Sequence, residues 1–341
     1  MIFNLLEKDI LPDFLIRLGI RNLLKARLEE EKKENLEEQQ KHLNQYIEDL
    51  KKSPIAINTA DANEQHYEVP TEFYKFVLGK RMKYSGGYWP LGAYTLDESE
   101  ESMLKLSCER AQLKDGLSLL DLGCGWGSVS LYVAEHFPKC KITAVSNSKT
   151  QKEYIDSVAK EKGFKNLTVI TRDMNEFTID EKFDRIISVE MLEHMKNYQK
   201  LFAKLSSFLK PDGLFFIHIF THKQYAYHFE VRDETDWMAK YFFTGGMMPS
   251  HNLFLYFQEN LNIVNHWVVN GTHYGKTSEA WLANMDKHKS SILPILEKTY
   301  GKENVTKWWS YWRIFFLACA ELFSYRKGEE WIVSHYLFRK K

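Results

Sequence analysis

The chain has 341 residues, of which 44% are hydrophobic, an ordinary globular composition with enough apolar material for one large domain or two modest ones. Its 46 basic and 46 acidic side chains cancel, so no strong net field gathers nucleic acid or anionic lipid. Four cysteines, at 108, 124, 140 and 319, form neither a C-x-x-C pair nor a disulfide rhythm, as suits a reducing compartment.

The first nine residues lack a basic region followed by an unbroken apolar run, and no stretch of bilayer-spanning length is free of charge. A cytoplasmic protein without stable membrane insertion is expected. Residues 1–60 read as a helical arm, with Ile10, Leu11, Phe14, Leu15 and Leu18 at helical spacing before the charged run Arg27 to Lys33. This stripe is expected to pack on the body and leave the charges solvated. A membrane-surface or dimerising helix is the alternative, which keeps a homodimer open. Ser53-Pro54 breaks the pattern.

Residues 61–341 form the second unit. From about residue 116 apolar runs of strand length alternate with helical patterns. Strands are predicted at Leu117–Leu122, Lys141–Ser146, Leu167–Thr171, Phe183–Val189 and Leu214–Phe220. Helices fall over Ser128–His136, Gln151–Lys162 and Tyr198–Leu209, the last closed by Lys210-Pro211-Asp212-Gly213. Ile263–Val269 and Trp331–Phe338 supply two more strands, with an aromatic helix over 307–324 between them. The fold class is α/β: a Rossmann-like, mostly parallel seven-stranded sheet with helices on both faces. Segments 221–262 and 272–325 are expected to cap the ligand edge.

The run Asp121-Leu122-Gly123-Cys124-Gly125-Trp126-Gly127 joins the first strand to a helix. Glycines let the backbone approach a ligand, and the helix start favours negative groups. Dinucleotide enzymes use a similar turn, but this one opens with Asp and lacks the third dinucleotide glycine. An acid at the strand tip repels a pyrophosphate and suits an ammonium group, which favours S-adenosylmethionine over NAD. The second strand ends in Ser146-Asn147-Ser148, so Asn147 or Gln151 would hold the ribose as neutral partners. Asp173-Met174 stands where the adenine should lie, although Asp173 also fits a turn or helix cap.

Together these residues resemble the cyclopropane fatty acid synthase-like methyltransferases, and within them the plant coclaurine N-methyltransferases, which methylate benzylisoquinoline amines. The resemblance runs from about residue 8 to the end. Besides the loop it includes Ser188 to Tyr198, Leu255-Tyr256-Phe257-Gln258, Trp281 to Asp286, Trp312-Arg313-Ile314-Phe315 and Gly328-Glu329-Glu330-Trp331. It implies a class I methyltransferase domain. It also implies that Tyr84 and Ser85 fold over the cofactor's methionine end, and that Gln151, Asp173 and Met174 take its ribose and adenine.

Methyl transfer from a sulfonium needs an in-line nucleophile, oriented and desolvated. An amine must also lose its proton. Glu190, at the tip of the fourth strand, with Glu193 and His194 just beyond, places two carboxylates and an imidazole at the cofactor edge. The resemblance assigns the same acid/base pair, Glu190 and His194; an acid–His pair that only caps a helix is the plainer reading. The resemblance also implies that Trp312 and Phe315 line the substrate pocket, whereas helical spacing alone would put Trp308, Trp312, Phe315, Phe316 and Cys319 in a core. Tyr67 is a further pocket candidate.

A competing branch, lipid cyclopropanation, is associated with a bound bicarbonate whose ligands would map to Gly86, Glu193, His218 and Tyr274. The thiol expected at Gly86 is missing, but His218 stands where the amine branch typically has Glu. Glu190, where cyclopropane synthases usually have Gly, tips the reading toward a small, aromatic or alkaloid-like amine. A cofactor-binding protein without catalysis is the third reading. No histidine spacing suits a metal, so none is expected.

Overall fold

The computed structural model describes residues 2–57, 69–233 and 236–341. The strands are β1 (Ser118–Leu122), β2 (Lys141–Ser146), β3 (Leu167–Thr171), β4 (Phe183–Val189), β5 (Leu209–His222), a short β6/β7 ribbon (Tyr227–His228 and Met247–Met248), β8 (Leu261–Val269) and β9 (Trp331–Lys340). Seven of them form one sheet in the order β3-β2-β1-β4-β5-β9-β8. β1 to β5 run parallel, and β9 joins antiparallel to both β5 and β8. The parallel strands are short apolar runs because helices cover both faces. Chain order reverses between β1 and β4, so a crevice opens at their carboxyl ends.

The helix Ser128–His136 starts directly after the glycine loop, and helix Lys149–Glu161 is capped by Ser148, whose hydroxyl accepts from the Gln151 amide. The sequence places a helix end at Lys210-Pro211-Asp212-Gly213. Instead, helix Tyr198–Phe208 stops one residue earlier and β5 begins at Leu209, paired to Phe183. A register shift between Phe183 and Arg185 then absorbs the Pro-Asp-Gly segment, as a bulge does.

The amino-terminal region folds as helices Ile2–Glu7, Asp13–Glu31 and Leu36–Lys52. Its long helix lies on Val305–Ser324, but with a different face from the one expected. Ile10, Phe14, Leu15 and Leu18 are exposed, while Leu28 is buried and Ile16, Ile20 and Leu24 pack against the same core. The polar partners decide the rotation: Arg17 binds Glu279 and Glu321, Arg21 binds Glu321, and Asp13 binds Arg313. Leu43, Tyr46, Ile47 and Leu50 of the third helix share one core with Tyr198, Phe202 and β5.

The segment after β5 holds the β6/β7 ribbon and a short helix Trp237–Tyr241. Helices Thr272–Lys287, Lys289–Tyr300 and Val305–Ser324 follow β8. No helix among the described residues is long and apolar enough to cross a membrane.

Candidate active site

The crevice holds two adjoining cavities of about 860 and 840 Å³ of empty space, which share Gly123, Gly125, Gln151, Glu190 and His194. The first is lined by Asn147, Gln151, Asp173 and Met174, with Ile57, Arg172, Thr244 and Gly245. The second is lined by Tyr84, Ser85, Asp121, Glu190, Glu193, His194, Tyr274 and Phe315, with Phe220, Phe243 and Trp281.

The glycine loop shapes the floor between them. Gly123, Gly125 and Gly127 all have positive φ, at 75°, 53° and 77°. A Cβ on Gly123 would come within 2.6 Å of Met191, whereas one on Gly125 would meet nothing within 4 Å and would project into open space. The loop is therefore held from behind and bare in front, as close approach of a ligand requires. Asp121 is 2% exposed, and its carboxylate accepts from the Ser130 hydroxyl. Burial raises it to about 6, and the Ser130 hydroxyl and N–H pull it back.

At the end of β2 Ser146 Oγ donates to Gln151 Oε1 at 2.6 Å, which turns the other end of the amide toward the cavity. Gln151 Nε2 is buried and has no protein partner. A buried donor left over in a cavity asks for a ligand acceptor. Asn147 is exposed at the rim. Asp173 makes the turn the sequence allowed, its Oδ1 accepting from Asn175 N at 2.7 Å, and it also lines the first cavity. A bare Gly125, an orphaned Gln151 amide and a buried acid at the strand tip fit an adenosyl amino acid.

Glu190 follows the last residue of β4 with φ 49°, a left-handed conformation that costs a non-glycine residue roughly 1–3 kcal/mol. The turn aims its side chain into the cavity. Burial pushes its carboxyl up to about 8, against Lys83 and hydrogen bonds from Tyr274 and Glu193 that favour the anion. Glu193, 1% exposed, is pushed further up by burial and by the Glu190 charge. Buried side by side, the two carboxyls hold protons more tightly than separate exposed acids would. His194 stacks on Phe243 at 4.7 Å and 24°, which fixes the ring plane beside Glu190.

Two residues expected in the pocket are elsewhere, and a third lies outside the described residues. His218 lines neither cavity; it sits behind Glu190 at 1% exposure, with Nε2 3.3 Å from Glu190 Oε1. Trp312 is fully buried behind the wall, packed on Phe73, Phe242 and Phe316 at 4.7, 5.1 and 5.9 Å. Phe315, about 60° round the same helix, faces the cavity instead. Tyr67 belongs to the undescribed segment. Phe316 is core.

Lys83 escaped the sequence reading. It is 1% exposed, and its ammonium donates to Ser85 Oγ and to the Gly86 carbonyl at 2.8 Å. Burial lowers it to about 8 while Glu190 and Glu100 pull it back. Its neighbours Tyr84-Ser85 were the available signal, but a lone lysine reads as surface. Phe220, Phe243 and Trp281 likewise carry no local signal beyond strand, cap and motif.

Comparison with known proteins places this arrangement. The profile of the family described as mycolic acid cyclopropane synthetase matches residues 56–331. The (S)-coclaurine N-methyltransferase of Papaver somniferum is 43% identical over 339 residues, which cover 98% of this chain and 97% of that protein. The pavine N-methyltransferase of Thalictrum flavum subsp. glaucum is 38% identical over 339 residues, 98% of this chain and 95% of that one. A crystal structure of coclaurine N-methyltransferase bound to N-methylheliamine and SAH superposes with a TM-score of 0.96 at 40% identity, covering 99% of each chain.

Proposed function

Because the chain belongs to the mycolic acid cyclopropane synthetase family of S-adenosylmethionine-dependent methyltransferases, we propose that its site methylates the nitrogen of a small amine with an aromatic, alkaloid-like body. The observation that carries this reading is the buried Glu190–Glu193 pair, with His194, inside an aromatic cavity that opens onto the bare face of Gly125. The (S)-coclaurine and pavine N-methyltransferases, similar along their whole length, support the amine.

In this proposal Gln151, Asn147, Asp173 and Met174 hold the adenosine, and Asp121, Tyr84 and Ser85 hold the amino acid end. When bound, S-adenosylmethionine supplies an electrophilic methyl group. The Glu190 carboxyl accepts a hydrogen bond from the ammonium form of the acceptor, and the rings of Phe220, Phe243, Trp281 and Phe315 hold its body and exclude water. The amine attacks only after losing its proton, which His194 accepts. No metal is assigned a role. The protein is proposed to work in the cytosol.

Lipid cyclopropanation is disfavoured by two placements. His218 engages Glu190 rather than the cavity, and a Cβ at Gly86 would crowd the Tyr274 ring at 3.0 Å. The test is to incubate the protein with methyl-labelled S-adenosylmethionine and separate pools of amines and phospholipids. Label is expected in an amine, and turnover of that amine should fall at least ~100-fold in the double variant Glu190→Ala/His194→Ala. Label in acyl chains, or a double variant as active as the parent, would overturn the reading.

A further inference from the structure

We propose that Arg110 is a positioning residue for this site: acting through His335 and His218, it holds an N–H turned toward the Glu190 carboxylate. The argument begins with strand register. Val189 of β4 pairs with His218 of β5, His218 pairs with His335 of β9, and His335 pairs with Trp267 of β8. The Glu190 amide donates to the His218 carbonyl at 2.9 Å, which sets Glu190 beside the same row. One lateral row therefore crosses four strands, from the cavity toward the antiparallel edge. Arg110 ends the helix Leu96–Arg110, lies over the Trp267 ring at 5.1 Å and closes the row from that side.

The contacts along the row are side chain to side chain. Arg110 Nη1 is 2.7 Å from His335 Nδ1, His335 Nε2 is 2.9 Å from His218 Nδ1, and His218 Nε2 is 3.3 Å from Glu190 Oε1. A guanidinium has donors only. The His335 nitrogen that faces it must therefore carry a lone pair. Both histidines are neutral, because burial and the nearby Arg110 and Lys83 charges drive them well below the ordinary imidazole range. A neutral ring with one bare nitrogen carries its proton on the other. His335 thus donates to His218 Nδ1, and His218 has its proton on Nε2, the nitrogen next to Glu190. The last contact is not aligned as a full hydrogen bond, so it acts as an N–H dipole beside the carboxylate.

No alternative arrangement of neutral rings pairs both joints of the row. If either ring held its proton on Nδ1, a donor would face a donor at one of the joints. The consequence is electrostatic: a fixed dipole next to Glu190 favours its ionised form. Glu190 is also faced by Lys83, by Tyr274 of helix Thr272–Lys287, by Cys319 of Val305–Ser324 and by Glu193. His335 is faced by His266 of β8 as well. These neighbours stay in place when Arg110 is changed, so its own contribution is separable. The role rests on Glu190 meeting the amine as proposed above; the tautomers do not.

The test needs no substrate, so its failure is distinct from failure of the amine reading. In the full chain labelled with 15N-histidine, two-bond proton–nitrogen spectra report each ring's tautomer, with signals assigned through His218→Gln and His335→Gln. Both rings are expected to carry the proton on Nε2 at pH 7. A proton on Nδ1 of either ring, or an imidazolium, would overturn the proposal. The infrared band of the protonated Glu190 carboxyl, identified by its loss in Glu190→Gln, gives the second readout. Its midpoint is expected to rise by about half a pH unit, a threefold change in ionisation constant, in Arg110→Met. Arg110→Lys, whose ammonium also only donates, should return it. An unmoved midpoint in a folded Arg110→Met protein sinks the link to Glu190. Should that variant not fold, the spectra of the unaltered chain still decide.

Discussion

At the scale of single residues, Glu190 occupies a costly position. It combines a left-handed backbone with a buried carboxyl raised by desolvation to about 8. In the unfolded chain the same group ionises in the ordinary carboxylate range near 4. Across the interval between those values the folded protein binds a proton at Glu190 that the unfolded chain has released, so folding stability falls as pH rises through it and levels off above about 8. Glu190→Gln keeps the shape and removes the titration. The variant is expected to be more stable than the parent by at least about 1 kcal/mol at pH 8.5, with a smaller gap at pH 5. Urea unfolding at both values checks this. A gap that is widest at pH 5 would mean that the carboxylate is better paired than the geometry indicates.

At the scale of elements, the interface of helix Asp13–Glu31 with Val305–Ser324 shows what a sequence conceals. Ile10, Phe14 and Leu18 make as good an apolar stripe as Ile16, Ile20, Leu24 and Leu28, and helical spacing cannot choose between them. The choice is made by residues about 300 positions away, Glu321 and Arg313, which pair with Arg17, Arg21 and Asp13. Leu28→Ala should therefore cost about 2–3 kcal/mol, and Leu18→Ala should stay within about 0.5 kcal/mol of the parent. Thermal unfolding of the two variants checks it, and equal losses would put the helix on the wrong face. The sheet was legible for the opposite reason: β1 to β4 are short apolar runs separated by glycines and caps, so local pattern suffices. The site was legible where it lies in contiguous motifs, Asp121 to Gly127 and Glu190 to His194. It was not legible where it depends on lateral register, since residues 190, 218 and 335 meet only because three strands align, and Arg110 reaches that row from the end of a helix. Trp312 and Phe315 share a helix and a composition, and only the tertiary packing of Phe73 and Phe242 separates core from wall.

At the scale of the whole molecule, the proposed seat of the cofactor belongs to no one part of the chain. Its first cavity takes Ile57 from the amino-terminal region, Asp173 and Met174 from β3's end, Glu190 from β4's and Thr244-Gly245 from the segment over the sheet. Its second takes Tyr84 and Ser85 from before β1, and Tyr274 and Phe315 from helices after β8. A ligand that touches all of these binds only the folded chain, so its binding free energy adds to folding stability. S-adenosylhomocysteine at 100 times its dissociation constant should add about 2.7 kcal/mol. With an unfolding entropy of roughly 2.1 cal/mol/K per residue over this chain, the midpoint should rise by about 4 °C. NADH at the same concentration should leave it unmoved, because Asp121 opposes a pyrophosphate where it favours an ammonium group. Differential scanning of the protein with each ligand checks both arms. Asp121→Asn should lose most of the S-adenosylhomocysteine shift while its own midpoint changes little, since Asn can still accept the Ser130 contacts. A shift with NADH, or one with S-adenosylhomocysteine that survives in Asp121→Asn, would place the recognition of the amino acid end elsewhere in the crevice.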